Sequence, residues 1–79
     1  MRDPRVDPKA GDVIRRQETT GMTRTVVQYH SRYQRVLFNE RIAYARKSTE
    51  FKPHRELSLR QWRNWAASAE VVQCAEVQP

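Results

Sequence analysis

Between Leu57 and Ala69 the apolar residues recur with the spacing of a helix. At roughly 100° per residue, Leu59, Trp62, Trp65, Ala66 and Ala69 fall within an arc of about 120°, and Arg60, Arg63 and Asn64 lie opposite. Ser58 is placed to cap the first turn, and Gln61, three residues on, is placed to return the bond as a capping box. Leu57 before the cap and Trp62 after it occupy the positions of a hydrophobic staple. The pattern predicts an amphipathic helix over residues 58–68 that delivers both tryptophans of the chain, with Leu59, to a core.

Elsewhere the apolar positions alternate, and the predicted elements are strands. A Gly11-Asp12 turn leads into the β-branched pair Val13-Ile14, with Val13 assigned to the core. Residues 17–22 read as a turn in which Gly21 is free to take positive φ. In the next strand, Thr23 to Tyr29, one face carries Thr25, Val27 and Tyr29 and the other Arg24, Val26 and Gln28; Val27 is the predicted core residue. Residues 34–47 admit two readings. Ser31 and Gln34 are spaced for a capping box, but on a helix Tyr33, Val36, Leu37, Phe38, Ile42 and Tyr44 scatter around most of the circle. A hairpin turning at Asn39-Glu40-Arg41 places Val36 and Phe38 on the same side as Ile42 and Tyr44, and is preferred.

Residues 48–56 read as a polar loop broken by Pro53, and Glu70 to Cys74 as a short closing strand with Val71 turned inward. Residues 1–10 hold two Asp-Pro pairs and form an extended arm with Val6 as its apolar anchor; residues 75–79 should fray. The order is arm, four strands, helix, strand. For 79 residues it predicts one mainly β domain over residues 11–74: a small five-stranded SH3-like barrel, or a rolled antiparallel sheet, with one helix before the last strand.

Charge changes the functional picture more than the structural one. The net charge of +6 is concentrated in residues 23–63, where ten Lys/Arg stand against three Asp/Glu, while residues 64–79 hold two acids and no base. Such a field attracts nucleic acid, an acidic protein face or an anionic surface, and it also serves solubility alone. Cys74 is the single cysteine, so no disulfide forms within the chain. It reads as a small buried or edge residue and suits a reducing compartment. With no apolar run near the N-terminus and none approaching the roughly 18 residues of a membrane span, the expectation is a soluble, cytoplasmic protein without membrane association.

No stretch carries catalytic chemistry. There is no Gly-rich phosphate loop, no Gly-x-Ser-x-Gly and no His-Glu-x-x-His, and His30, His54 and Cys74 are too dispersed to predict a zinc site. No catalytic residue, metal or cofactor is expected. Binding is the better case. Arg24, Arg32, Arg35, Arg46, Lys47, Lys52 and Arg55 are interleaved with Tyr29, His30, Tyr33 and Tyr44, and Arg60 and Arg63 project from the helix. Nucleic-acid surfaces need cations to displace counterions from phosphates and rings on which bases stack. The competing reading puts Tyr29 and Tyr44 in the core and makes the arginines a solvated rim.

The chain resembles a broad group of small bacteriophage and prophage proteins. The resemblance rests on Pro8-Lys9-Ala10-Gly11-Asp12-Val13-Ile14 at the first strand, and on Leu59-Arg60-Gln61-Trp62-Arg63-Asn64-Trp65-Ala66 with Ala69-Glu70-Val71-Val72 at the helix and last strand. It implies a phage-type origin, a bacterial cytoplasm as the setting and a fold, and these positions are structural rather than catalytic. Two roles are compatible with it. One is an accessory factor that binds DNA or RNA; the other is an interaction module docking on an acidic partner, as a counter-defence inhibitor of the anti-CRISPR kind would.

Overall fold

Five antiparallel strands form one sheet, with the helix inserted before the last of them. This is a computed structural model, and it describes residues 2–17, 21–43 and 49–75. The strands are β1 (Val13–Gln17), β2 (Gly21–His30), β3 (Arg35–Ala43), β4 (Thr49–Ser58) and β5 (Glu70–Gln73); the helix α1 spans Leu59–Ala66. Strands β1 to β4 are sequential neighbours and β5 returns to the free side of β1, giving the order β4-β3-β2-β1-β5. The edges β4 and β5 are not paired with each other, so the sheet is open.

The helix begins as the sequence predicts. The Ser58 side chain accepts from the Gln61 amide at 3.2 Å, and the Gln61 side chain accepts from the Ser58 amide at 3.2 Å. Two of the amides that a helix start leaves unpaired are thereby satisfied. A third, that of Leu59, donates to the Gln34 carbonyl at 2.8 Å. The apolar face of α1 packs on the inner face of the sheet, burying Leu59, Trp62, Ala66 and the following Ala69 against Ile14, Val26, Val36 and Phe38. Trp62 stands at the centre, tilted 56° to Phe38 with ring centroids 5.4 Å apart. Trp65, partly buried, lies 5.9 Å from Trp62. Tyr29, Leu57 and Val71 pack around this core.

Two core assignments are corrected by the register. In β1 the inward residue is Ile14, fully buried, while Val13 lies on the opposite face. In β2 a bulge falls at Val27: Val26 pairs with Phe38 and Gln28 with Leu37. The extra residue breaks strict alternation, so Val26 and Tyr29, three apart, both face inward, and Val27 is 47% exposed.

The hairpin expected at residues 39–41 is also corrected, as is its helical alternative. β3 runs unbroken from Arg35 to Ala43, with Val36, Phe38, Glu40 and Ile42 buried on one face. Glu40, placed at a turn by the sequence reading, is instead only 3% exposed because Arg24 of β2 is its cross-strand neighbour and ion partner. Tyr44 lies outside the described residues. The expected polar loop from residue 48 is strand from Thr49 onward. Pro53 is accommodated there because β4 is an edge and because a second bulge sets Pro53 and His54 against Asn39. His54 takes a φ of 58° and its amide donates to Asn39 Oδ1 at 3.1 Å.

The N-terminal segment folds into a turn at residues 3–7 and is held by polar bonds, with Val6 about half exposed rather than anchoring it. Trp62 Nε1 donates to the Pro4 carbonyl at 3.1 Å and Arg63 Nε to the Val6 carbonyl at 2.9 Å. Arg2 grips the buried Asp12 carboxylate with both terminal nitrogens, and Asp12 also accepts from the Lys9 and Ala75 amides at 2.7 Å. One carboxylate thus ties together the arm, the start of β1 and the chain beyond β5.

Candidate nucleic-acid interface

The sheet has a covered inner face and an open outer one, and the register decides which cations each face receives. Residues paired across strands point to the same side. Arg55 is paired with Phe38 and Lys52 with Glu40, so both fall on the inner side, at the edge strand. Lys52 is also in an ion pair with Glu50 at 3.1 Å. Arg24 belongs to the same side and is 8% exposed, so it is not available to a phosphate. Its Nε donates to Glu40 Oε2 at 2.7 Å, and its guanidinium lies 4.0 Å from the Trp65 ring centroid and 4.6 Å from that of Phe38. Burial pushes the Arg24 guanidinium below its ordinary pKa, with Arg55 and Arg16 adding to the effect and the Glu40 bond opposing it. Arg24 is a core residue.

The outer face is different. At its end, the β2–β3 turn over residues 31–34 projects Arg32 and Tyr33, flanked by the last ladder pair, His30 and Arg35. Gln34 closes the turn at a φ of 52°, a left-handed conformation uncommon outside glycine. The bond from the Leu59 amide to its carbonyl ties that turn to the helix start. His30, Tyr33, Arg35 and Glu56 line an open cleft of about 550 Å³. Tyr33 is 69% exposed, and the Arg32 guanidinium lies 5.6 Å from its ring centroid. Arg35 Nε donates to Glu56 Oε1 at 2.5 Å. That pair is exposed on both sides, and such a pair is worth little in water, so exchange of Glu56 for a phosphate oxygen costs little.

Of the binding residues expected from the sequence, the structure therefore gathers His30, Arg32, Tyr33 and Arg35. It places Arg24, Lys52 and Arg55 on the other side of the sheet, and puts Arg60 and Arg63 on the exposed side of α1. Arg46 and Lys47 lie outside the described residues.

The structure also adds two residues. Arg41 of β3 and Phe51 of β4 are cross-strand partners on the outer face, with the guanidinium 5.5 Å from the ring centroid and Phe51 53% exposed. From the sequence alone, the first is expected in a turn and the second in a loop. The alternation Thr49, Glu50, Phe51, Lys52 was the signal available for a strand there.

A second concavity, lined by Arg2, Asp3, Pro4, Arg5, Val71 and Cys74, is a seam of the fold. Arg2 is committed to Asp12 and Arg5 to Asp3, and the exposed Cys74 has its sulfur 3.4 Å from Arg2. Among the described residues no three His, Cys, Asp or Glu side chains are grouped to hold a metal ion, and no helix is long and apolar enough to cross a membrane.

The fold and the outer-face cluster define the chain as a small mainly β domain, one antiparallel sheet covered on one side by a short helix. Comparison with known protein families, with curated protein sequences and with solved structures finds no match.

Proposed function

We propose that this chain is a small, non-enzymatic nucleic-acid-binding protein, of the kind found as accessory factors among the phage proteins it resembles. The observation that carries the reading is the cluster at the β2–β3 turn. Two arginines and a histidine surround an exposed tyrosine at the mouth of a cleft, and among the described residues the one carboxylate lining that cleft is held in a weak surface pair. Cations there would displace counterions from phosphates, and the ring offers a stacking platform that is indifferent to sequence. The four-strand meander β1 to β4, with a helix before a fifth strand that returns to β1, supports a finer reading of the fold as an opened SH3-like barrel. A gel shift with DNA and RNA across a salt series tests the function. The expected result is binding at low salt that falls linearly as log affinity against log salt; no shift of either nucleic acid at low salt ends the reading.

A further inference from the structure

Among the described residues the two exposed rings of tyrosine, phenylalanine or tryptophan are Tyr33 and Phe51, and both have an arginine against them. Tyr33 lines the cleft formed by His30, Arg35 and Glu56 at one end of the outer face. Phe51 sits on the same face at the other end, beside Arg41. From Arg35 to Arg41 the strand advances about 20 Å at roughly 3.3 Å per residue. Between the two ends β3 presents Leu37 and Asn39, neither of them charged, and Glu56 is the carboxylate that β3 and β4 place on this face.

Resting on the nucleic-acid reading, we infer that the ligand is single-stranded, lying along the outer face of β3 and β4 with bases on Tyr33 and Phe51 and phosphates near Arg32, Arg35 and Arg41. A duplex keeps its bases stacked inside and has none to offer these rings, whereas a single strand stacks on each ring while its backbone runs past the guanidinium beside it. The separation of the rings suits a site of at least about four nucleotides, the lower end for small β domains that bind single strands. The uncharged middle of the face fits bases, and the net positive charge of Arg32, Arg35 and Arg41 over Glu56 favours a polyanion.

The test is fluorescence anisotropy at low salt, using labelled oligo(dT) of about 12 nucleotides and a duplex of equal length. Wild-type protein is compared with Tyr33→Ala, Phe51→Ala and the conservative Phe51→Tyr, each checked for an unchanged unfolding midpoint. The expected result is single-strand binding at least about tenfold tighter than duplex binding. Each alanine variant should lose about 5- to 100-fold for the single strand and no more than about twofold for the duplex, with Phe51→Tyr retaining affinity. Equal affinity for both forms, or an unaffected Phe51→Ala, overturns the inference and leaves nucleic-acid binding standing. Failure to bind either form overturns both, and points to an acidic protein as the ligand of this face.

Discussion

Arg24 and Glu40 form an ion pair inside the sheet, 2.7 Å apart, on adjacent strands and on the face covered by the helix. The Arg24 guanidinium fills the space beside Phe38 and Trp65, and its Nη1 is buried with no hydrogen-bond partner among the described residues. Its contact with the rings compensates part of that desolvation. Breaking such a pair from one side leaves an uncompensated buried charge, whereas replacing both members removes the problem. Glu40→Gln should therefore destabilise by about 3–5 kcal/mol, and the double replacement Arg24→Met with Glu40→Leu should recover most of the loss. Urea unfolding of the single and double variants measures this, and equal losses for the two would contradict it.

Asp12 sets the response to acid. Burial alone would raise its carboxyl, but the bonds from Arg2 and from the Lys9 and Ala75 amides outweigh it and hold the pKa below the ordinary aspartate value. A carboxyl that is lower in the folded state contributes stability above its unfolded pKa, about 3.9, and loses it as pH falls through the folded value. Wild-type stability should be level near neutrality and decline below about pH 4. Asp12→Asn should be less stable at pH 7 by roughly 1.5–3 kcal/mol and show a shallower acid decline. Thermal melts from pH 2 to 7 test both parts.

The two tryptophans should separate spectroscopically. Trp62 is fully buried and Trp65 only partly so. With Trp65→Phe, the remaining emission should be blue-shifted and resistant to iodide. Trp62→Ala should cost about 3–5 kcal/mol, enough to unfold a domain of this size, so Trp62→Phe provides the folded control.

The helix start has its own signature. Ser58→Ala removes the acceptor for the Gln61 amide and should cost about 0.5–2 kcal/mol, read as a lower denaturant midpoint with an unchanged slope.

If phosphates bind at the β2–β3 turn, Arg32→Ala and Arg35→Ala should each reduce the slope of log affinity against log salt by about 0.7–1. Arg24→Ala serves as contrast only where it remains folded, and Arg60→Ala, on the helix, should leave the slope unchanged.

How far the sequence could be read follows from the range of each interaction. The Ser58–Gln61 cap and the Leu59, Trp62, Ala66 stripe depend on neighbours within a few residues, and both are present. The five strands, in contrast, match in number only because the hairpin expected at residues 34–47 is one strand and the loop expected at 48–56 is another. The candidate site was half legible: His30, Arg32, Tyr33 and Arg35 lie together because they flank one short turn. Arg24, in contrast, looked like any other surface arginine until Glu40 and Trp65 were placed beside it.

What the sequence determined by itself was the local chemistry: a capped amphipathic helix, β-forming segments and an excess of positive charge in the middle of the chain. The tertiary structure alone decided which side of the sheet each residue occupies. One extra residue at Val27 turns Tyr29 inward, and another at Pro53-His54 lets β4 continue to pair with β3, putting Phe51 beside Arg41. The physical reason is the two-residue period of a strand. A shift of one position moves every later side chain to the opposite face, and only pairing with a distant strand selects where that shift occurs.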